Sequence, residues 1–380
     1  MWNSSDELKT TTSSSLPTVT IGIPTYNEAA HIEAVVRGFL QSGYPHLLEI
    51  LVVDGGSTDG TQAIVERIAA EDMRVHLLHN PYKIQSAALN LAIHRARGEV
   101  FIRADAHAEY ALDYVEQCVH ALQHSHALNV GGAQRFVAQQ PFQAGVALAA
   151  QSVLGHGGAK YRLPEYAGYA ETVYLGCFWK HALDQLIAEQ PLPPDVPAAE
   201  ADLHTPFDLD KTPNEDSELN LRLLQLAPQA IYVSPQIRVW YYPRATLRGL
   251  WRQYFRYGRG RCRTVEQHPN APLRGRLPFL VLSSLSVLLL LDALLLRGRL
   301  HTRLLLALGI GAIKAEALRT TWRHRHSFAT EIWRGDPQRI PPFGVRWLYC
   351  TIALLTKPLA HFMGYAYQLW RMRVLKHTEI

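Results

Sequence analysis

Short apolar runs alternate with longer segments of helical spacing through the amino-terminal part of the chain. Thr18 to Pro24 is rich in β-branched residues and closed by a proline that cannot donate to a ladder, which predicts a buried strand. Thr25-Tyr26-Asn27-Glu28 follows as a turn, and Glu28 to Leu40 sets Ile32, Val35, Val36 and Phe39 at helical spacing. The unit repeats, with Leu48 to Val53 as strand, Asp54 to Gly60 as turn and Thr61 to Ala70 as helix. A third unit runs from Val75 through the helix Ile84 to Ala96 into the strand Glu99 to Ile102. This alternation predicts right-handed crossovers and an α/β fold whose parallel sheet is covered on both faces. Ligands of such sheets bind beyond the carboxyl ends of the strands. Glu28, Asp54 and Asp105 all fall there, so three carboxylates from distant sequence are expected in one crevice.

Asp105-Ala106-His107 places two potential metal ligands one residue apart at a strand end. Residues i and i+2 of an extended chain project to the same side, so this pair can hold a divalent cation against a diphosphate. A cation also reconciles an acidic mouth with a phosphorylated ligand. Asp54 and Glu28 can instead accept hydrogen bonds from a nucleobase and ribose, because ionised carboxylates only accept. They can equally cap the following helices, a task open to Ser57, Thr58 and Asp59 as well.

Downstream, Asn214-Glu215-Asp216-Ser217-Glu218 opens an amphipathic helix with Leu219, Leu223, Leu224 and Leu226 on its apolar side. Acids at a helix start ordinarily complement its dipole. Arg244, Arg248, Arg252 and Arg256 recur every fourth residue beside Leu247, Leu250, Trp251, Tyr254 and Phe255, a pattern that suits an anionic bilayer surface, a polyphosphate or solvent. Leu277 to Leu296 has a single charge, Asp292, and is long enough to span a hydrocarbon core. Leu304 to Ala317 is interrupted by Lys314 and Glu316, and Trp347 to Trp370 contains Lys357, Pro358 and His361. Three membrane-associated helices are expected, with a buried helical hairpin as the alternative for the last two. Gly155 to Thr172 and Asp195 to Pro213 are long for connections in a compact domain, which marks them as functional or mobile.

Pro24-Thr25-Tyr26-Asn27-Glu28, the run Val52 to Thr61 and the Asp105-Ala106-His107 triplet together resemble the opening of a family-2 glycosyltransferase, a likeness covering roughly residues 17 to 260. The Asp-x-His form and the tail are most similar to the succinoglycan-biosynthesis branch. The resemblance implies a GT-A fold, Rossmann-like with a mostly parallel sheet, and sugar transfer from a nucleotide diphosphosugar. It implies nucleotide contacts by Pro24, Thr25, Tyr26, Glu28 and Asp54, and a ribose or metal contact by Asp105. His107 stands where Asp-x-Asp members have a second acid, which keeps a metal role and leaves the choice between Mn2+ and Mg2+ open. Glu215-Asp216 matches the family's catalytic pair. An inverting transfer needs a carboxylate to deprotonate the acceptor hydroxyl, a role assigned to Asp216, with Glu215 positioning the acceptor. Gln253 to Tyr257 is similar to the Gln-x-x-Arg-Trp segment of processive synthases with Tyr257 in place of Trp. Gln253 and Arg256 would then face diphosphate and acceptor, unless Arg256 is simply a juxtamembrane charge. Gly155 to Thr172 and Asp195 to Pro213 would flank the acceptor, over a strand at Tyr174 to Phe178 where Gly176 permits close approach.

The excess of five positive charges is concentrated in arginines after residue 240, beside the apolar tail, which favours membrane or phosphate contact over nucleic acid. Ser/Thr-rich residues 1–16 lack a basic region followed by an apolar core, and so predict a disordered lead-in and no secretory signal. The expected organisation continues with a catalytic domain at 17–243, a basic juxtamembrane segment at 244–276, membrane-associated helices at 277–370 and a tail at 371–380. Cys118, Cys177, Cys262 and Cys350 form no C-x-x-C pair and read as reduced thiols without zinc. His120, His124 and His126 read as a solvated helix face.

The expected function is a membrane-bound inverting transfer of one sugar to a polyprenyl-diphosphate-linked saccharide in exopolysaccharide biosynthesis. The resemblance implies glucose from UDP-glucose, on the cytosolic side of the inner membrane where nucleotide sugars are available. The alternatives are a processive synthase, which would carry more spans and retain the Trp, and a non-catalytic membrane-anchored nucleotide-sugar-binding protein. A nucleic-acid-binding protein is the remote alternative.

Overall fold

The computed structural model describes residues 16–189, 201–207, 209, 215–267, 276–296 and 301–375. The expected lead-in up to residue 15, most of Asp195 to Pro213, Asn214 and residues 376–380 of the tail lie outside the described residues.

The three amino-terminal units form as the pattern predicts: β1 (Val19–Thr25), α1 (Ile32–Leu40), β2 (Leu47–Asp54), α2 (Thr61–Glu71), β3 (Val75–His79), α3 (Gln85–Arg95) and β4 (Val100–Arg103). Helix α1 starts later than expected. Glu28 stays in the turn, where its carbonyl accepts from the His31 and Ile32 amides. Ile50 and Val52 pack into one core, Leu51 and Val53 into a second on the opposite face. Both faces of the sheet are thus covered, which explains continuous apolar strands without polar alternation. Each fully buried Ile or Leu contributes about 1.5–3 kcal/mol.

The remaining elements are β5 (Ala108–Tyr110), α4 (Tyr114–Ser125), β6 (Asn129–Gly132), β7 (Gln134–Phe136), α5 (Pro141–Gln151), α6 (Val153–His156), β8 (Gly168–Tyr169), β9 (Tyr174–Trp179), α7 (Lys180–Glu189), α8 (Ala201–His204), α9 (Glu215–Leu226), β10 (Ile231–Val233) and β11 (Val239–Tyr241). The main sheet has the order β3-β2-β1-β4-β9-β6-β10-β8, and β5-β11-β7 form a small second sheet. The sheet is mostly parallel, as expected, with two antiparallel strands. β9 runs antiparallel between β4 and β6, and β8 runs antiparallel at the edge. Gly176 in β9 has φ +100°, and a Cβ there would lie 2.6 Å from the Phe178 ring and 3.0 Å from Asn129 Oδ1. Its own backbone and these neighbours account for the glycine.

The carboxyl-terminal helices are α10 (Leu247–Gln267), α11 (Leu277–Leu294), α12 (Thr302–Arg323) and α13 (Phe343–Arg373). Leu250, Ala317, Cys350, Ala353 and Leu354 join Ala144, Ala147 and Leu148 of α5 in a third core. Close contacts seat α13. A Cβ at Gly258 would lie 2.0 Å from the His361 carbonyl oxygen, and one at Gly364 would lie 1.9 Å from that of Phe255. α13 also buries polar side chains against the domain: Gln368 accepts from Arg259 Nε at 3.1 Å, and Lys357 Nζ lies 5.6 Å from the Tyr254 ring centre.

α11 differs from α13. Among the described residues it is the helix long and apolar enough to cross a membrane, and only 6% of it is buried by the protein. Its lone acid, Asp292, is 2% exposed and accepts from the Thr302 amide (3.1 Å) and hydroxyl (2.6 Å), clasping the two helices at their junction. Leu304, Leu305, Leu306 and Leu308 of α12 are exposed as well. The four cysteines are free and buried, and His120, His124 and His126 are exposed on α4 and at its end.

Candidate active site

Thr25 pairs with Asp54 in the β1–β2 ladder, so both motif turns leave the sheet at the same edge. Hydrogen bonds lace these turns together. Asn27 N donates to Ser57 Oγ (2.8 Å), Thr58 N to Asn27 Oδ1 (2.8 Å), Glu28 N to Thr61 Oγ1 (2.9 Å) and Ala29 N to Asp59 Oδ2 (3.0 Å). The Asn-Glu and Ser-Thr-Asp-Gly-Thr motifs are therefore two halves of one support. Tyr26 is 53% exposed and flanks Gly55, and Lys83 extends over Gly56.

Asp54 is 1% exposed. Its carboxylate accepts from the Gly56 and Ser57 amides (2.8 and 2.9 Å), from Gln62 Nε2 (2.5 Å) and from the Ser57 hydroxyl. Burial alone would raise its pKa, but these bonds outweigh it and hold the group below the usual carboxylate value. Asp54 thus organises its own turn and does not cap α2, whose N-cap is Gly60.

Asp105 is placed differently. Its backbone amide donates to Tyr110 OH at 2.7 Å, while its carboxylate meets Gln85 Nε2 at 3.4 Å and Arg103 Nη2 at 4.0 Å. His107 Nδ1 lies 3.0 Å from Glu28 Oε1. That hydrogen bond is the first cause of a raised His107 pKa, outweighing burial. A histidine that donates Nδ1–H to a carboxylate presents Nε2, the arrangement of a metal-ligating imidazole with its supporting acid. Among the described residues no group of three or more His, Cys, Asp or Glu forms a ready ligand set. Asp105 and His107 would supply two ligands, and the donor's diphosphate oxygens would supply others. A carboxylate, an imidazole and phosphate oxygens fit a cation of the Mn2+ or Mg2+ kind.

Arg103, not among the residues expected at the site, connects its two halves. It is 7% exposed and sets Nη2 3.5 Å from Glu215 Oε1 at the start of α9 as well as 4.0 Å from Asp105. Burial disfavours its charge, but Asp105, Glu215 and Asp216 outweigh that and keep the guanidinium protonated. Asp216 is half-buried and accepts from the Ser217 amide at 2.7 Å. Glu218 is ion-paired to Arg222 at 2.9 Å. An arginine ending an apolar strand two residues before an acid was the available signal for Arg103.

Tyrosines from four elements surround these acids. Burial, reinforced by the charge on Asp105, pushes the phenols of Tyr110, Tyr174 and Tyr241 up. They remain hydrogen-bond donors at neutral pH. Gln253 Nε2 donates to the hydroxyls of Tyr241 and Tyr257, both at 3.1 Å. Tyr257 feels the charge of Asp216 and is itself 43% exposed, and Arg256, Arg244, Arg248 and Arg252 are also exposed. Pro24 and Thr25 sit at the end of β1, where Thr25 is buried.

Residues 20–173 match the family model "Glycosyl transferase family 2". Over 281 residues the chain is 38% identical to "Succinoglycan biosynthesis protein ExoA" of Rhizobium meliloti (strain 1021), covering 73% of this chain and 78% of that protein. It is 25% identical over 248 residues to "Dolichyl N-acetyl-alpha-D-glucosaminyl phosphate 3-beta-D-2,3-diacetamido-2,3-dideoxy-beta-D-glucuronosyltransferase" of Methanococcus voltae, covering 63% of this chain and 71% of that one. The solved mannosyltransferase PcManGT of Pyrobaculum calidifontis, in complex with GDP-Man and Mn2+, superposes with a TM-score of 0.57 at 20% identity, over 94% of this chain and 88% of that one. At that identity the likeness is one of fold.

Proposed function

The chain belongs to glycosyltransferase family 2, and from that premise we propose that it transfers a hexose with inversion from a nucleotide diphosphosugar to a lipid-linked saccharide in polysaccharide assembly. One observation carries the reading: Asp105 at the end of β4 and Glu215-Asp216 at the start of α9 lie in the field of one buried guanidinium, Arg103. A donor held at Asp105 would present its sugar toward Asp216.

Asp216 takes the proton of the acceptor hydroxyl as its oxygen bonds to the anomeric carbon. The bond from that carbon to the diphosphate oxygen breaks on the opposite face, and the nucleoside diphosphate leaves with the electron pair. Glu215, held by Arg103, fixes the start of α9 and positions the acceptor. Asp105 and His107, the latter oriented by Glu28, would hold Mn2+ or Mg2+, which when bound neutralises charge developing on the leaving group. Tyr26 and the Gly55–Gly56 turn form the nucleotide wall, with Pro24 and Thr25 behind it, and Lys83 and Gln253 face diphosphate and acceptor. Arg256 acts at the membrane surface with the other exposed arginines of α10. Glucose from UDP-glucose is the donor proposed on the resemblance.

The lipid acceptor is argued from the tail. A helix that is apolar all round and left uncovered by protein finds its partner in hydrocarbon. The 18 residues of α11 extend about 27 Å, close to the thickness of that layer. We place the catalytic domain on the cytosolic side of the inner membrane. α13 packs on α5 and α10, which favours a single-sugar transferase over a multi-span processive synthase.

Purified protein incubated with a panel of nucleotide sugars and a polyprenyl-diphosphate saccharide should add one sugar, detected by mass, with the anomeric configuration inverted. Retention of configuration or repeated addition overturns this reading. Recovery of the full chain in the soluble fraction after gentle lysis overturns its membrane half.

A further inference from the structure

We infer that the catalytic domain touches the bilayer at a second place, the corner formed by Val153 to Arg162, which meets anionic headgroups and the upper acyl region. This rests on the membrane reading of α11 and α12 above. Val153 and Leu154 are consecutive and 56% and 55% exposed. They are held rigidly outward. Ser152 Oγ donates to the Ala149 carbonyl at 2.8 Å and accepts from the Gly155 amide at 2.9 Å, and a Cβ at Gly155 would lie 1.7 Å from that same carbonyl oxygen.

The position of this corner relative to the apolar helices identifies what covers it. Helices α11 and α12 meet at the Asp292–Thr302 clasp, and the first turn of α11 and the second half of α12 rest on α13. Phe279 of α11 stacks on Tyr365, with ring centres 4.5 Å apart, and Trp347 Nε1 donates to the Lys314 carbonyl of α12 at 3.0 Å. Val153 N donates to Glu316 Oε1 at 3.0 Å, two residues beyond that contact. The corner is therefore joined to the base of the apolar pair, about 21 Å along α12 from the clasp at 1.5 Å per residue. If the clasp end is inserted, the base lies where hydrocarbon gives way to headgroups.

The charges fit that level. Arg162 Nη1 donates to the Gly155 carbonyl at 3.4 Å, and Lys160 and Arg162 are exposed beside the two apolar side chains. Apolar side chains with basic neighbours are the composition of an interfacial contact, in which long cations reach lipid phosphates. From this corner the chain leads to Thr172, whose hydroxyl accepts from Asn220 Nδ2 at 2.8 Å on the helix that carries Asp216. The contact would orient the acceptor side of the site toward the surface that supplies a lipid-linked substrate.

The test uses the full-length protein in vesicles of phosphatidylethanolamine and phosphatidylglycerol, with a fluorophore on Leu154→Cys, Leu288→Cys or Met73→Cys. The native cysteines are buried, so each label is selective. Lipids brominated high on the acyl chain should quench the Leu154→Cys label severalfold more than the Met73→Cys label, since Met73 is 89% exposed on the loop between α2 and β3. Lys160→Glu with Arg162→Glu should lower quenching at position 154 and leave position 288 unchanged. If position 288 is quenched by deeply brominated lipid and position 154 stays at the level of position 73, the inference is wrong. If position 288 is not quenched, the membrane reading beneath it fails first.

Discussion

Asp54 and Asp105 end the two strands that flank β1, and both leave the sheet on the side where ligands bind such folds. Their carboxylates nevertheless do different work. The Gly56 and Ser57 amides curl back and, with Gln62, donate to Oδ2 of Asp54, while the Ser57 hydroxyl donates to its Oδ1. The turn after Asp105 is satisfied through its backbone, by Tyr110 OH on the amide and by the Ala108 amide on the carbonyl, so the side chain stays available to the crevice. The same contrast recurs on α9, where Glu218 is paired with Arg222 one turn later while Asp216 bonds its neighbour's amide. An acid at a ligand-binding edge is a candidate for chemistry only when the fold has not already taken its oxygens.

The largest expected effect tests that contrast on α9. Asp216→Asn should lower turnover roughly 10²-fold or more with donor affinity retained, read by steady-state kinetics and calorimetry. Near-normal turnover would place Asp216 with the structural acids. Asp105→Ala and His107→Ala should each reduce metal-dependent turnover while melting temperature holds, and Glu28→Gln should weaken metal affinity by about 10- to 100-fold as the imidazole loses its orienting acid. Asp54→Ala should do the reverse of Asp105→Ala, destabilising the fold by about 1–3 kcal/mol as buried donors lose their acceptor. Donor affinity would fall as a consequence, and calorimetry against chemical unfolding separates the two. The smallest effect is one of pH. Because the folded-state pKa of Asp54 is depressed, its stabilisation is full above the ordinary value of about 4 and is lost as pH falls through the depressed value. An acid unfolding profile that is unchanged in Asp54→Asn would show that the turn does not depend on the charge.

The alternating units and the acids at their ends were legible because both depend on local sequence period. The reversed direction of β9 was not, since a strand's apolar pattern reads the same in a parallel or an antiparallel neighbour. Arg103 was hidden for a related reason: an arginine is ordinarily exposed, and its burial here is created by acids more than a hundred positions away. The lone charge in α11 and the Lys357, Pro358 and His361 inside α13 already set the two helices apart in sequence, but did not show where α13 would pack. The glycines that let α10 and α13 approach, and the buried Lys357 and Gln368, became informative only once the helices were placed.

The lacing of the first two turns has a dynamic consequence. The amides of Asn27, Glu28 and Ala29 are held by side chains about 30 residues later, and the Thr58 amide is held by Asn27 in return. Opening either loop breaks bonds to the other, so the four amides are expected to share one opening free energy in hydrogen exchange, after correction for their intrinsic rates. A crevice wall built this way is expected to move as a unit, so that exchange data showing Asn27 opening without Thr58 would refute the coupling.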